Sequence, residues 1–102
     1  MQEWSIEEWE NMKESKEQCT FYLYTSMCGT CQVASKMMEI MEATFPDIPM
    51  GKANINYVEQ LAIDYKIESV PCLLITENGK VRDKIYAFQS VSYLFEKIQK
   101  KD

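Results

Sequence analysis

Between Ile6 and Ser15 the apolar side chains recur every three residues, at Ile6, Trp9 and Met12, a spacing that lines one stripe of a helix. Ser5 and Glu8 form a capping box ahead of that stripe, with Trp4 and Trp9 placed as the two halves of a hydrophobic staple, so a helix is expected from Ile6 to Ser15. The pattern then changes. Thr20-Phe21-Tyr22-Leu23-Tyr24-Thr25 is β-branched and aromatic on both alternating faces, as suits a central strand covered on both sides. Beyond Cys31 the period returns to helical: Ala34, Met37, Met38, Met41 and Phe45 share one face, and Pro46 ends the segment. Methionines at such spacing are flexible core filling.

Met50 to Ile55 reads as a second strand, and Asn56 with Glu59 as a further capping box for a short helix bearing Val58, Leu61, Ala62 and Tyr65. Val70 to Thr76 forms a third strand. Asn78-Gly79 suits the two positive-φ positions of a type I′ turn, returning the chain along Val81 to Tyr86. Ser90 caps a last helix with a stripe of Val91, Leu94, Phe95 and Ile98. The expected order is helix, strand, helix, strand, helix, strand, strand, helix. That is an α/β chain with one central mixed sheet of about four strands and four flanking helices, parallel in its first half and closed by an antiparallel hairpin.

Composition narrows the chemistry. A chain of 102 residues, 46% apolar and 26% charged, fits one domain over 1–102. The net charge is −5 and the basic residues are scattered apart from a Lys97–Lys101 tail, so nucleic acid is not an expected partner. No run of about 20 apolar residues is present, and Met1-Gln2-Glu3-Trp4 has neither the basic start nor the apolar centre of a secretory signal, so no membrane association and a cytoplasmic location are expected. In that compartment four cysteines are expected to rest as thiols, which makes a close pair catalytic or metal-binding rather than a staple. The sequence holds no histidine. Ser-His-Asp and Cys-His catalysis are excluded, and a metal site would need thiolates or carboxylates.

The candidate chemistry lies at Cys28-Gly29-Thr30-Cys31, where an apolar strand meets an amphipathic helix. Sulfurs at i and i+3 can bond without rearranging the backbone, and a helix N-terminus stabilises whichever becomes a thiolate. This suits reversible dithiol–disulfide exchange.

Taken with Lys52 inside Lys52-Ala53-Asn54-Ile55-Asn56, the Val70-Pro71 junction and Asn78-Gly79-Lys80, these features keep the order and near-spacing of the thioredoxins, which the chain resembles from Ser5 to Lys100. The resemblance implies a thioredoxin fold whose first edge strand is short or absent, since only Met1 to Trp4 precede the capped first helix. It implies that Cys28 is the exposed attacking thiol and Cys31 the more buried resolving thiol. Pro71 is expected to be cis, leaving the backbone of Val70 free to pair with an extended substrate, while Gly29 lets a partner backbone approach and Met27 and Thr30 contribute to the substrate rim. No cofactor is expected. Protein disulfides are the implied substrates, a separate flavoprotein disulfide reductase the implied electron donor, and a monomer working as a reductase in cell redox homeostasis and electron transport the implied form.

Several positions depart from the family pattern. The buried aspartate that usually accepts a proton from the second thiol is Tyr22 here, a poor base at neutral pH with an ordinary pKa near 10. Lys52, that aspartate's usual neighbour, is left without it. Met27 stands for a tryptophan, Lys36 for a kinking proline, Cys72 for a threonine, and Thr30 for the commonest proline, a change that the family pattern associates with a more oxidising couple. Two other readings remain open: a binding or regulatory module of the same fold with little turnover, and a thiolate metal site using Cys28, Cys31 and Cys72. As a small apolar residue in a strand, Cys72 also fits an inert core position. Cys19, at the far end of its strand from Cys28, suits a four-cysteine site poorly.

Overall fold

The computed structural model describes residues 1–99. Its elements are β1 (Gln2–Glu3), α1 (Ile6–Ser15), β2 (Gln18–Tyr24), α2 (Gly29–Thr44), β3 (Met50–Asn54), α3 (Glu59–Asp64), β4 (Cys72–Glu77), β5 (Lys80–Ile85) and α4 (Val91–Gln99), with a single 3₁₀ turn at Ile55–Tyr57. The strands form one sheet in the order β1-β3-β2-β4-β5. β2 therefore lies at its centre, parallel to β3 and antiparallel to β4.

The alternation within β2 sorts its side chains into two apolar layers. Cys19, Phe21 and Leu23 join Trp4, Trp9, Val58, Leu61 and Cys72 on the face covered by α1 and α3. Tyr22 joins Ala34, Met38 and Met41 of α2 and Leu94 and Ile98 of α4 on the other. Met38 and Met41 are fully buried, as their helical spacing implies. The cap of α1 forms as read: Ser5 Oγ accepts the Glu8 N–H at 3.0 Å, and Glu8 Oε1 accepts the Ser5 N–H at 2.9 Å. Trp4 and Trp9 then close on Phe21, with ring centroids 5.8 and 5.5 Å away. Asn78 and Gly79 both have positive φ, +53° and +83°, as a type I′ turn requires.

The edge strand is short, as expected: it is two residues long, pairs in parallel, Gln2 with Gly51 and Glu3 with Lys52, and brings the sheet to five strands. Two expectations need adjustment. Asn56 does not cap α3. The side chain of Asn54 accepts the Asn56 N–H at 2.9 Å and starts the 3₁₀ turn instead, leaving α3 with Val58 as an N-cap that has no side-chain acceptor. β4 begins at Cys72 rather than Val70, because Pro71 has no N–H to contribute to a ladder. With Lys36 where a kink would fall, α2 runs uninterrupted from Gly29 to Thr44.

Candidate active site

β2 ends at Tyr24, and after a short turn Cys28 becomes the N-cap of α2. An N-cap side chain faces the unpaired N–H groups of the first helical turn. Cys28 Sγ accordingly accepts the Cys31 N–H at 3.2 Å. Thr30 Oγ1 lies 3.3 Å from the same sulfur. Cys28 and Cys31 are joined as a disulfide with Cα atoms 5.2 Å apart, so the hydroxyl is the donor in that contact. On reduction, the amide, the hydroxyl and the positive end of the helix all favour the thiolate of Cys28 over its thiol. Cys31 is only 3% exposed while Cys28 is half-buried, so the two sulfurs differ in access.

The Val70–Pro71 peptide is cis, and the Val70 carbonyl oxygen lies 3.8 Å from Cys28 Sγ. Above Gly29 nothing stands within 4 Å of where a side chain would begin, which leaves room for an approaching backbone. From this point an apolar groove of about 440 Å³ leads away between α2 and the loop before α4, lined by Thr30, Val33, Met37, Pro71, Tyr86 and Phe88 among others, none of them charged. Met27 is 93% exposed at the rim and is not part of the groove lining. A hollow of similar size, about 460 Å³, opens at the other end of β2 beside Lys16, Gln18 and Phe45, and shares no residue with the cysteine pair.

Tyr22 is fully buried beneath the first turns of α2. Its hydroxyl donates to the Cys31 carbonyl oxygen at 2.9 Å and lies 2.9 Å from Ser35 Oγ. A phenol has one proton, so with that proton on Cys31 the serine is the donor in the second bond. Burial pushes the Tyr22 pKa up, and the Ser35 bond offsets only part of it. Tyr22 is a neutral hydrogen-bonding group here, not a base. Lys52 is half-buried, with its ammonium 5.7 Å from the Tyr24 ring centroid, and borders a cavity of about 20 Å³ together with Met1, Tyr22, Ser35 and Glu39.

Cys72 is buried in the α1/α3 layer, on the face of the sheet away from α2. Cys19 shares that layer and is hydrogen-bonded to Thr76 Oγ1 at 2.8 Å. Among the described residues no three cysteine or carboxylate side chains gather in a way that would hold a metal ion, and no helix is long and apolar enough to cross a membrane. Burial pushes the Cys72 thiol from its ordinary 9.0 to about 12. Because the folded chain holds this proton more tightly than the unfolded one, the stabilisation is complete below about pH 9 and is lost as pH rises toward 12. Stability is expected to fall in that window by up to about 1.4 kcal/mol per pH unit for this thiol. Urea unfolding from pH 8 to 11 checks this: the alkaline slope should be shallower for Cys72→Ala, and an unchanged slope would contradict it.

No motif in the sequence marks Ser35, Val33, Met37, Tyr86 or Phe88 as site residues. Ser35 carries one available signal, a hydroxyl one turn after Cys31 beside the apolar Ala34 and Met38.

Comparison with known proteins adds kinship to this geometry. The family model described as thioredoxin matches residues 2–100. The thioredoxin-like protein YusE of Bacillus subtilis (strain 168) is 50% identical over 80 residues, covering 78% of this chain and 76% of that protein. The H-type thioredoxin of Fagopyrum esculentum is 26% identical over 85 residues, or 83% of this chain and 72% of the other. Among solved structures, oxidised mitochondrial thioredoxin 3 from Saccharomyces cerevisiae matches with a TM-score of 0.87 at 16% identity, over 97% of this chain and 93% of that one. At such low identity the structural match speaks for the fold alone.

Proposed function

The chain belongs to the thioredoxin family, and from that premise we propose that it reduces disulfides in proteins, with Cys28 as nucleophile and Cys31 as resolving thiol. It is a thiol–disulfide oxidoreductase, and Cys28–Cys31 is its redox pair. The observation that carries the finer reading is the position of Cys28 Sγ: at the N-cap of α2, 3.2 Å from the Cys31 N–H, and 3.3 Å from the hydroxyl of Thr30, which lines an uncharged groove.

The Cys28 thiolate attacks one sulfur of the substrate disulfide. That bond breaks, the other substrate sulfur leaves as a thiolate and takes a proton from solvent, and a mixed disulfide to Cys28 remains. Cys31 gives its proton to solvent and attacks Cys28 Sγ, forming the internal disulfide and releasing the second substrate sulfur. Two electrons have moved from the dithiol to the substrate. Their replacement is assigned to a separate flavoprotein disulfide reductase. Val70, whose carbonyl lies beside Cys28, and the groove past Pro71 are the proposed seat of the substrate segment.

Reduction of a disulfide-bonded protein, driven by a small dithiol, tests the reading. Wild type is expected to accelerate it and Cys28→Ser to fall to the uncatalysed rate. Equal rates for the two would sink the enzyme reading and favour a binding module of the same fold. The direction of electron flow is read from the potential: a couple nearer to about −270 mV supports a reductase, and one nearer to about −120 mV an oxidant.

A further inference from the structure

We propose that Tyr22 and Ser35 form a hydroxyl latch between the central strand and the first turns of α2 that positions Cys31 for the resolving step. The proposal rests on the assignment of Cys28 as nucleophile and Cys31 as resolving thiol, and adds to it two residues that touch neither sulfur.

Both backbone polar groups of Cys31 are engaged by parts of the site. Its N–H reaches Cys28 Sγ at 3.2 Å, and its carbonyl oxygen receives the Tyr22 hydroxyl at 2.9 Å. Tyr22 is in turn fixed by the Ser35 hydroxyl at 2.9 Å, and its ring is held by Tyr24 at 5.7 Å and Phe88 at 5.8 Å between centroids. A carbonyl one turn into a helix has a second lone pair free beyond its helical bond. The phenol uses it to tie α2 to β2, the central strand of the sheet. Tyr22 is fully buried and neutral, so this bond is not in competition with water.

The resolving step is the one sensitive to such a tie. In the mixed disulfide, Cys31 sulfur must approach Cys28 Sγ in line with the departing substrate sulfur. The Cys31–Cys28 bond forms, the Cys28–substrate bond breaks, the electron pair leaves on substrate sulfur, and the Cys31 proton passes to solvent. Intramolecular attack of this kind depends steeply on placement of the reacting atoms. The first step does not, since there Cys28 meets an external disulfide and is activated by its own N-cap position.

The test separates the steps with reduced protein and a symmetrical aromatic disulfide whose thiolate is coloured. One equivalent of colour appears as Cys28 attacks, and a second as Cys31 resolves. Tyr22→Phe and Ser35→Ala are expected to keep the first phase at its wild-type rate and to slow the second by about tenfold, within the roughly 100-fold that a misplacement of about 1 Å can cost. Ser35→Thr, which keeps the hydroxyl, is expected to restore the second phase. A second phase at wild-type rate in both hydroxyl-deleting variants overturns the latch, as does a parallel slowing of both phases, which marks a merely structural loss. A wild-type protein that releases no colour, or a Cys28→Ser variant that releases it as wild type does, overturns the nucleophile assignment and the latch with it. That result is distinct from the others because it precedes any change at Tyr22 or Ser35.

Discussion

Replacing Cys31 by serine is expected to turn a turnover catalyst into a covalent trap. Cys28 keeps its N-cap position, and the Cys31 backbone N–H that faces its sulfur at 3.2 Å is retained by a serine at that place, so attack on a substrate disulfide should still proceed. What is lost is the internal nucleophile. Well-oriented intramolecular reactions reach effective molarities of about 10⁵ M, roughly 10⁸ times a millimolar thiol, so even a far less favourable geometry leaves release by external thiol slower by at least about 10³-fold. The mixed disulfide with a protein substrate should then accumulate as a one-to-one species that survives non-reducing electrophoresis and disappears with dithiol. Cys72 and Cys19 cannot take over resolution, since both lie buried on the far face of the sheet and burial raises both of their pKa values. If Cys31→Ser turns over like wild type, Cys31 is not the resolving thiol.

The site was legible in the sequence where chemistry and local structure coincide in a few adjacent residues. Cys28 and Cys31 announce themselves because a strand pattern ends, a helical one begins, and two thiols stand at the junction. The groove does not announce itself. Phe88 and Tyr86 reach it from the loop before α4, and Val33 and Met37 reach it from α2, so its existence depends on how those elements dock. Tyr22 was visible as an anomaly, but its partner Ser35 was not, because a hydrogen bond from β2 to α2 leaves no periodicity behind.

For the fold, the same division holds. Helices with an apolar stripe and the central strand follow from side-chain patterning. β1 does not, because Gln2 and Glu3 are exposed polar residues that pair with β3 through their backbones. Asn56 with Glu59 has the pattern of a capping box, but the turn after β3 gives the capping role to the side chain of Asn54, which a residue pattern alone does not reveal.

The short edge strand also explains a strict requirement that the sequence shows only as a glycine within a strand. Gly51 of β3 lies between Gln2 of β1 and Phe21 of β2, and the indole of Trp4 covers it. A Cβ added there would fall inside the van der Waals envelope of Trp4 Cδ2, Cε3 and Cε2. The indole has little freedom to yield: Trp4 is 6% exposed, its ring packs on Phe21, and its backbone N–H, which donates to the Lys52 carbonyl oxygen at 2.9 Å, fixes where the side chain starts. Gly51→Ala is therefore expected to expel Trp4, unpair β1 and cost about 3 kcal/mol, the upper end of ordinary overpacking. For a domain near 100 residues this is a fall in Tm of roughly 10–20 °C. The cause is testable by a double-mutant cycle. In a Trp4→Ala background the clash is gone, so Gly51→Ala should cost far less there than in wild type, whereas equal costs in both backgrounds would place the strain somewhere other than the indole. Because β3 pairs with β2 over Thr20 to Tyr24, the disturbance at Gly51 is separated from Cys28 by the whole end of the sheet, and the folded fraction of Gly51→Ala should still attack the aromatic disulfide in the first phase as wild type does.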